Sequence, residues 1–324
     1  MSANGRWVFA FGVAAAAIVG LAAAPQQSRG VAQTASVLGP GDGVDHVIVI
    51  VRDLEEAART YTEVLGFTVV PGGNFPGGLQ SRAVRFASNY VELMSVDPSQ
   101  APPDDELVRL LNEREGGYAL GLGVSSAQQT ADALRARNFD VVGPAGSPFI
   151  PEGSNDVQTA PWQTVVITNP VLPFEPFFFI QYALREARSG PPEHQNTAVD
   201  VHSVWIAVKD LEAATKGYEA LGLLPGRKRR IPQLAAKGRE IGAGQGVILL
   251  LQATDTKGPL ASYVAQQGEG VIGMSIEVRD LPKARSLLRS STKQELNPYN
   301  GPYGKSIVVP PVFTHGVWIE LFQE

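Results

Sequence analysis

At 324 residues, with 44% hydrophobic and 18% charged side chains, the chain can bury two ordinary cores and does not have the composition of a disordered polymer. A net charge of -5 and a pI near 5.5 argue against a dedicated nucleic-acid binder, which would carry a basic face. Without cysteine it can form no disulfide, thiolate metal site or cysteine nucleophile, and it has no N-terminal cysteine to lipidate.

Arg6 is the only charge before an alanine-rich apolar run from Trp7 to Ala24, which closes on Ala22-Ala23-Ala24. Charge, apolar stretch and small-residue end are the parts of an export signal. Pro25 just after that end disfavours cleavage, and the run is near the lower limit of roughly 17–25 residues for a spanning helix. Residues 1–24 are therefore expected to export the protein, cleaved, or to anchor it in a membrane. Residues 25–43, carrying Gln, Ser, Gly and Pro, read as a flexible tether.

A repeat organises the rest of the chain. Val51-Arg52-Asp53-Leu54, Val208-Lys209-Asp210-Leu211 and Val278-Arg279-Asp280-Leu281 each end an apolar, β-branched run at a basic residue, then offer an Asp that can cap a helix. Glu56 stands three residues after Asp53, as in a capping box. Leu54, Ala58, Tyr61 and Leu65 form one helical stripe, which Gly66 can end. A fourth, weaker copy opens at Leu120-Gly121-Leu122, with Ser126 as its cap. Closing strands are expected at Tyr90–Ser95, Phe177–Tyr182, Val247–Gln252 and Gly316–Phe322. The stretch from Gly143 to Ala160, rich in Gly, Pro, Ser and Asn, reads as a long loop at the sheet edge or cleft mouth. The basic run Arg227 to Arg230 reads as a solvated turn and strand edge.

Each unit is thus strand, helix and about three strands, and exposes a sheet face that must be paired. The expected fold is α+β: tandem βαβββ units, two in each domain, forming cupped mixed sheets with helices outside. The expected domains are residues 44–184 and a more degenerate 201–324, joined by a linker over 185–200.

This order, opened by Asp45-His46-Val47 and closed by Val91-Glu92-Leu93, resembles the vicinal oxygen chelate superfamily, most closely its glyoxalase-like branch. That group includes glyoxalase I, extradiol dioxygenases, methylmalonyl-CoA epimerase and bleomycin-resistance proteins. Gly66-Phe67-Thr68-Val69-Val70-Pro71-Gly72-Gly73 carries the resemblance, as do Pro173-Phe174 through Gln181 and Val309-Pro310-Pro311 through Leu321. The resemblance implies one divalent metal in the cup (zinc, nickel, iron or manganese), held by His, Glu or Gln from first and last strands.

Carried over by position, His46 and Glu92 match in the first unit, Gln181 stands opposite Glu92 in the second, and Glu320 closes the fourth. Ala119, Ser203, Leu250 and Gly273 occupy the other ligand positions, and His202 is one residue off, which turns a strand residue to the opposite face. No full ligand set results. His46 and Glu92 are the metal and catalytic candidates, with Gln181 and Glu320 as weaker ligands. The structural alternative pairs Glu92 with His46, Arg82 or Arg85. Without a metal, Glu92 can act as a base while His46 orients the substrate. Asn74, Phe75, Arg82 and Trp162 are expected on the cup wall or rim, and Tyr299, Tyr303 and His315 in the second domain. The expected activity is lyase, isomerase or dioxygenase chemistry on a small molecule with vicinal oxygens. The alternative is a sequestering protein with degenerate metal sites. A small molecule is the expected partner, with a homodimer open, because such units pair within or between chains.

Overall fold

The computed structural model describes residues 36–324 except 103, 152–153, 169–176 and 184–191. The export segment, most of the tether, the Pro173–Pro176 motif and much of the linker lie outside the described residues.

Two eight-stranded mixed sheets carry the chain. The first is built from β1 (Gly43–Ile50), β2 (Val69–Asn74), β3 (Leu79–Arg85), β4 (Tyr90–Val96), β5 (Gly116–Gly123), β6 (Val141–Phe149), β7 (Gln158–Ile167) and β8 (Phe177–Tyr182). Their order across the sheet is β2-β3-β4-β1-β5-β8-β7-β6, so two βαβββ units meet at the antiparallel β1–β5 seam. The second half repeats this with β9 (Ala198–Ala207), β10 (Pro225–Ile231), β11 (Ala236–Gly242), β12 (Val247–Ala253), β13 (Gly270–Val278), β14 (Tyr299–Asn300), β15 (Lys305–Val309) and β16 (Trp318–Gln323).

The four helices anticipated from capping begin as expected. Asp53 accepts from the N–H of Glu56 at 2.8 Å, Ser126 from Gln129 at 3.2 Å, Asp210 from Ala213 at 3.0 Å and Asp280 from Lys283 at 2.8 Å. Each satisfies a donor that the helix leaves unpaired. These helices are α1 (Leu54–Arg59), α3 (Ala127–Arg135), α4 (Leu211–Ala220) and α6 (Leu281–Thr292). α1 runs on through a π-helical turn, Thr60–Val64, before Gly66 ends it at φ 75°. Two further helices, α2 (Glu106–Glu113) and α5 (Pro259–Gln267), follow β4 and β12. Neither belongs to the repeat pattern. α2 packs Leu107, Val108 and Leu110 against the concave face of the first sheet, and α5 places Leu260 and Tyr263 against that of the second.

Several expectations are corrected. The stretch from Gly143 to Ala160 is mostly strand: β6 and β7 pair as an edge hairpin, and Ser147 and Phe149 line the cavity. The four repeat helices lie outside the cups, on the convex side of the sheets, as expected, and are themselves covered there. One hydrophobic cluster includes Val47 and Val49 of the first sheet, Val204 and Ile206 of the second, and residues of α1, α3, α4 and α6. The convex faces of both halves thus share a core. The described end of the linker is packed rather than free, since His194 and Asn196 are buried between the halves. At the other end of the first half, Val37 is also buried in the shared core, so the tether ends earlier than its composition suggests.

His194 shows what that packing demands. The Thr68 N–H donates to its Nδ1 at 2.9 Å, and its Nε2 lies 3.0 Å from the carbonyl of Arg85. A ring that accepts at one nitrogen and donates from the other is neutral, and burial holds its pKa below the ordinary histidine value. The unfolded chain therefore takes up this proton first. The ring's contribution to stability is complete above the ordinary pKa of about 6.5 and is lost as pH falls below it. Urea midpoints are expected to drop between pH 7 and 5.5, with a smaller drop in His194→Gln. Equal slopes in the two proteins would show that the ring does not couple folding to pH.

Candidate functional site

The concave face of the first sheet encloses a cavity of about 780 Å³. Strand alternation puts His46, Ile48 and Ile50 of β1, Tyr90, Glu92 and Met94 of β4, Ser81, Ala83 and Arg85 of β3, and Phe178, Ile180 and Tyr182 of β8 on this side. The register aligns His46 with Tyr90 and Ile48 with Glu92. His46 and Glu92 consequently meet at the floor, with Nε2 3.9 Å from Oε2.

A β-bulge between Val44 and His46 adds a third group. The extra residue, Asp45, is turned onto the cavity lining beside His46. Its Oδ1 stands 2.7 Å from His46 Nδ1 and accepts from Tyr182 Oη at 2.9 Å. Tyr182 Oη in turn lies 3.2 Å from Tyr90 Oη, and the Tyr90 ring stacks on His46 with centroids 4.5 Å apart. An ionised Asp45 can only accept, which places the proton on Nδ1 and presents Nε2 to Glu92 and the cavity. Phe178 meets the ring edge-on. Burial raises the pKa of Glu92, opposed by the neighbouring His46 and a hydrogen bond from Ser81. The Tyr90 hydroxyl is pushed well up by burial, then by Tyr182 and Glu92. Sequence reasoning missed Asp45, Tyr90 and Tyr182. The adjacent Asp45-His46 pair was visible, but the bulge that puts both on one face was not.

The ring has no room to shift toward β5. A Cβ on Gly121 would stand 2.8 Å from His46 Cε1 and 3.0 Å from Phe178 Cζ. Gly121→Ala is therefore expected to push the imidazole off Asp45 and to cost about 1–3 kcal/mol by overpacking. The His46 Nδ1–H resonance should be lost from the low-field proton spectrum while the fold survives. An unshifted resonance would mean that the ring is not clamped.

Of the other anticipated residues, Phe75 and Trp162 line the cavity, with ring centroids 6.5 Å apart. Arg82 and Asn74 do not; they line a separate surface groove, where Arg82 pairs with Glu55 at 2.6 Å. The parity of β3 decides this for the arginines, since Arg85, not Arg82, shares the face of Glu92. Gln181 also points away, its Oε1 accepting from the Ala127 N–H at 2.7 Å at the start of α3. His315 lies 3.2 Å from Glu115, across the junction of the halves.

Glu320 is fully buried on the concave face of the second sheet. Ser275 donates to its Oε2 at 2.6 Å, and Tyr299 donates to Oε1. Burial raises its pKa, and likewise that of Tyr299. With both oxygens engaged and Trp205, Trp318 and Tyr263 packed alongside, this face is filled. A bulge at Val201–Ser203 also corrects the expectation for His202. It absorbs the one-residue slip, so His202 packs on Tyr303 and Phe322, the latter on the face of Glu320.

A divalent metal of the superfamily kind would need three or four protein donors. Here two converge, His46 Nε2 and Glu92; Asp45 is committed to the far side of the ring, Gln181 to α3 and Glu320 to the second half. Among the described residues, no group of three His, Cys, Asp or Glu side chains is placed to hold a metal ion. The donor set does not fit the family chelate.

Comparison with known proteins agrees with the fold. The family model described as "Glyoxalase-like domain" matches residues 44–222, more than half of the chain. The chain belongs to the glyoxalase-like domain family. Two solved structures show how far the likeness of this glyoxalase-like chain extends. A triple-substituted variant of 4-hydroxymandelate synthase from Streptomyces coelicolor superposes with a TM-score of 0.61 at 15% identity, covering 88% of this chain and 93% of that one. A hypothetical protein from Staphylococcus aureus gives a TM-score of 0.59 at 14% identity, covering 87% of this chain and 100% of that one. At such identities the likeness is one of fold, the two-sheet vicinal oxygen chelate arrangement. No curated protein sequence matches the chain.

Proposed function

We propose that this glyoxalase-like protein holds a small molecule with adjacent oxygens in the cavity of its first half and moves a proton on it, with Glu92 as the base. The reading is carried by one observation: a buried histidine, fixed by Asp45, and a partly buried glutamate with a raised pKa face each other across 3.9 Å at the floor of a 780 Å³ cavity. A carboxylate made more basic by burial is suited to removing a proton next to a carbonyl. On an α-hydroxy ketone, Glu92 takes the proton from the hydroxyl-bearing carbon and the electron pair forms an enediol. His46 accepts the hydroxyl proton at Nε2 and passes it to the neighbouring oxygen. Glu92 then returns its proton to the adjacent carbon, so the product is the isomer and no co-reactant is consumed.

The test is incubation with a panel of α-hydroxy ketones and α-hydroxy aldehydes in D₂O, followed by proton NMR. Enzyme-dependent deuterium incorporation at the hydroxyl-bearing carbon supports the reading; its absence across the panel, with binding intact, overturns it. That second result would favour a sequestering protein, a reading supported by the aromatic wall of Phe75, Phe149 and Trp162. The same proposal places the protein outside the cytoplasm through residues 1–24. Fractionation of cells expressing the full chain tests it: recovery in the soluble cytoplasmic fraction would overturn that part.

A further inference from the structure

The cavity's charges are unevenly placed. Asp45 and Glu92 lie at the floor, and Arg85 is the single Lys or Arg on the lining among the described residues. Arg85 ends β3 opposite Tyr90 in register, while Glu92 pairs with Ala83 two residues further along. Arg85 therefore shares a cross-strand row with Tyr90 and His46, two strands or about 10 Å from the histidine, and stands about 7 Å along the sheet from the row of Glu92. That backbone is held firmly, because His194 lies 3.0 Å from its carbonyl and β4 pairs along its strand. Its side chain is exposed, and among the described residues no hydrogen bond or ion pair engages it. Arg82, three positions back on the opposite face, is by contrast paired to Glu55. The lining also carries aromatic side chains, with Phe75 and Phe149 each in contact with Trp162. At the rim the second half contributes Gln245. Its N–H donates to Asp42 O at 2.9 Å, and Gly244 beside it bridges Gly43.

From this arrangement we infer that the ligand is a small aromatic or flat apolar anion, seated with its acidic group at Arg85 and its reacting end at His46 and Glu92. The inference rests on the proposed reading of the cavity as the ligand site, and adds the ligand's charge, body and direction. The direction follows from repulsion. An anionic group beside the carboxylates of Asp45 and Glu92 would raise the energy of all three, whereas at the exposed Arg85 it meets a guanidinium that no described residue engages, able to bind it through two N–H donors. The apolar body then lies against the aromatic wall, which has nothing charged to offer it.

The probe pair is 2-naphthoate and its neutral isostere 2-naphthamide, titrated calorimetrically into the full chain and into Arg85→Gln, Arg82→Gln and Trp162→Ala. Wild type should bind naphthoate about tenfold more tightly than the amide, the scale of one charge-assisted pair. Arg85→Gln should bring the two within about twofold without weakening the amide, Arg82→Gln should change neither, and Trp162→Ala should weaken both. No preference for the anion in wild type, no binding of either probe, or a preference that survives Arg85→Gln would overturn the inference. These readouts are independent of turnover. Failure of deuterium exchange with the Arg85 preference intact would count against the proton-transfer reading alone, and the reverse against this one.

Discussion

Glu92→Gln is expected to lower the rate of solvent deuterium incorporation into a turned-over α-hydroxy ketone by about 10²- to 10⁴-fold, the usual worth of a positioned general base. The amide keeps the size and much of the hydrogen bonding of the carboxylate but cannot take a proton. Stability should move the other way, because burial raises the pKa of Glu92 and so opposes its ionised form. The sign is fixed by linkage: a raised folded pKa favours folding below the ordinary glutamate value and is lost as pH rises through the folded one. Glu92→Gln should therefore be at least as stable as wild type at pH 8, and retain its ligand. Undiminished exchange in this variant would remove Glu92 from the chemistry. Collapse of the fold would instead mark it as a structural group, and the His46 Nδ1–H signal distinguishes a local from a global loss.

Trp205→Ala is expected to cost about 3–5 kcal/mol, the range for deleting a buried aromatic side chain. Trp205 is fully buried on the concave face of the second sheet, donates from Nε1 to Ser275 Oγ at 2.9 Å, and packs with Leu249, Leu251, Leu260 and Trp318. Removing it leaves a void and takes a donor from the hydroxyl that supports Glu320. Trp162→Ala provides the contrast. Its indole lies on the wall of an open cavity and is only partly buried, so its loss should cost clearly less while weakening ligand binding. Thermal or urea denaturation of the two variants measures the difference. Equal costs would show that the two concave faces are not divided between packing and binding as the structure arranges them.

That division was half legible in the residues. The pairing of His46 with Glu92, and the loss of the histidine at Ser203, can be read from the aligned units, because strand alternation is a local rule. The glutamate position of the third unit, expected at Leu250, falls instead on Leu249, which pairs with Trp205 on the concave face while Leu250 turns into the shared core. Choosing between Arg82 and Arg85 needed the parity of β3, which depends on where pairing begins after the Pro76–Gly78 turn. Gln181 was misplaced for the same reason: the cavity-facing residues of β8 are Phe178, Ile180 and Tyr182. Bulges were the larger obstacle. They turn Asp45 and His202 inward against the simple alternation, and nothing in either residue's type announces it.

The sequence by itself determined the four βαβββ units, their helix caps and the single unit that keeps both His46 and Glu92. Caps, turns and alternation act within a few residues, so they leave a pattern that can be read along the chain. Only the tertiary structure decided that the halves share one core through their convex faces, that the second concave face is filled by Trp205 and α5, and that Asp45 fixes His46 above Glu92. Those outcomes rest on contacts between residues far apart in the chain, whose energies depend on burial and on which side chains reach the same volume.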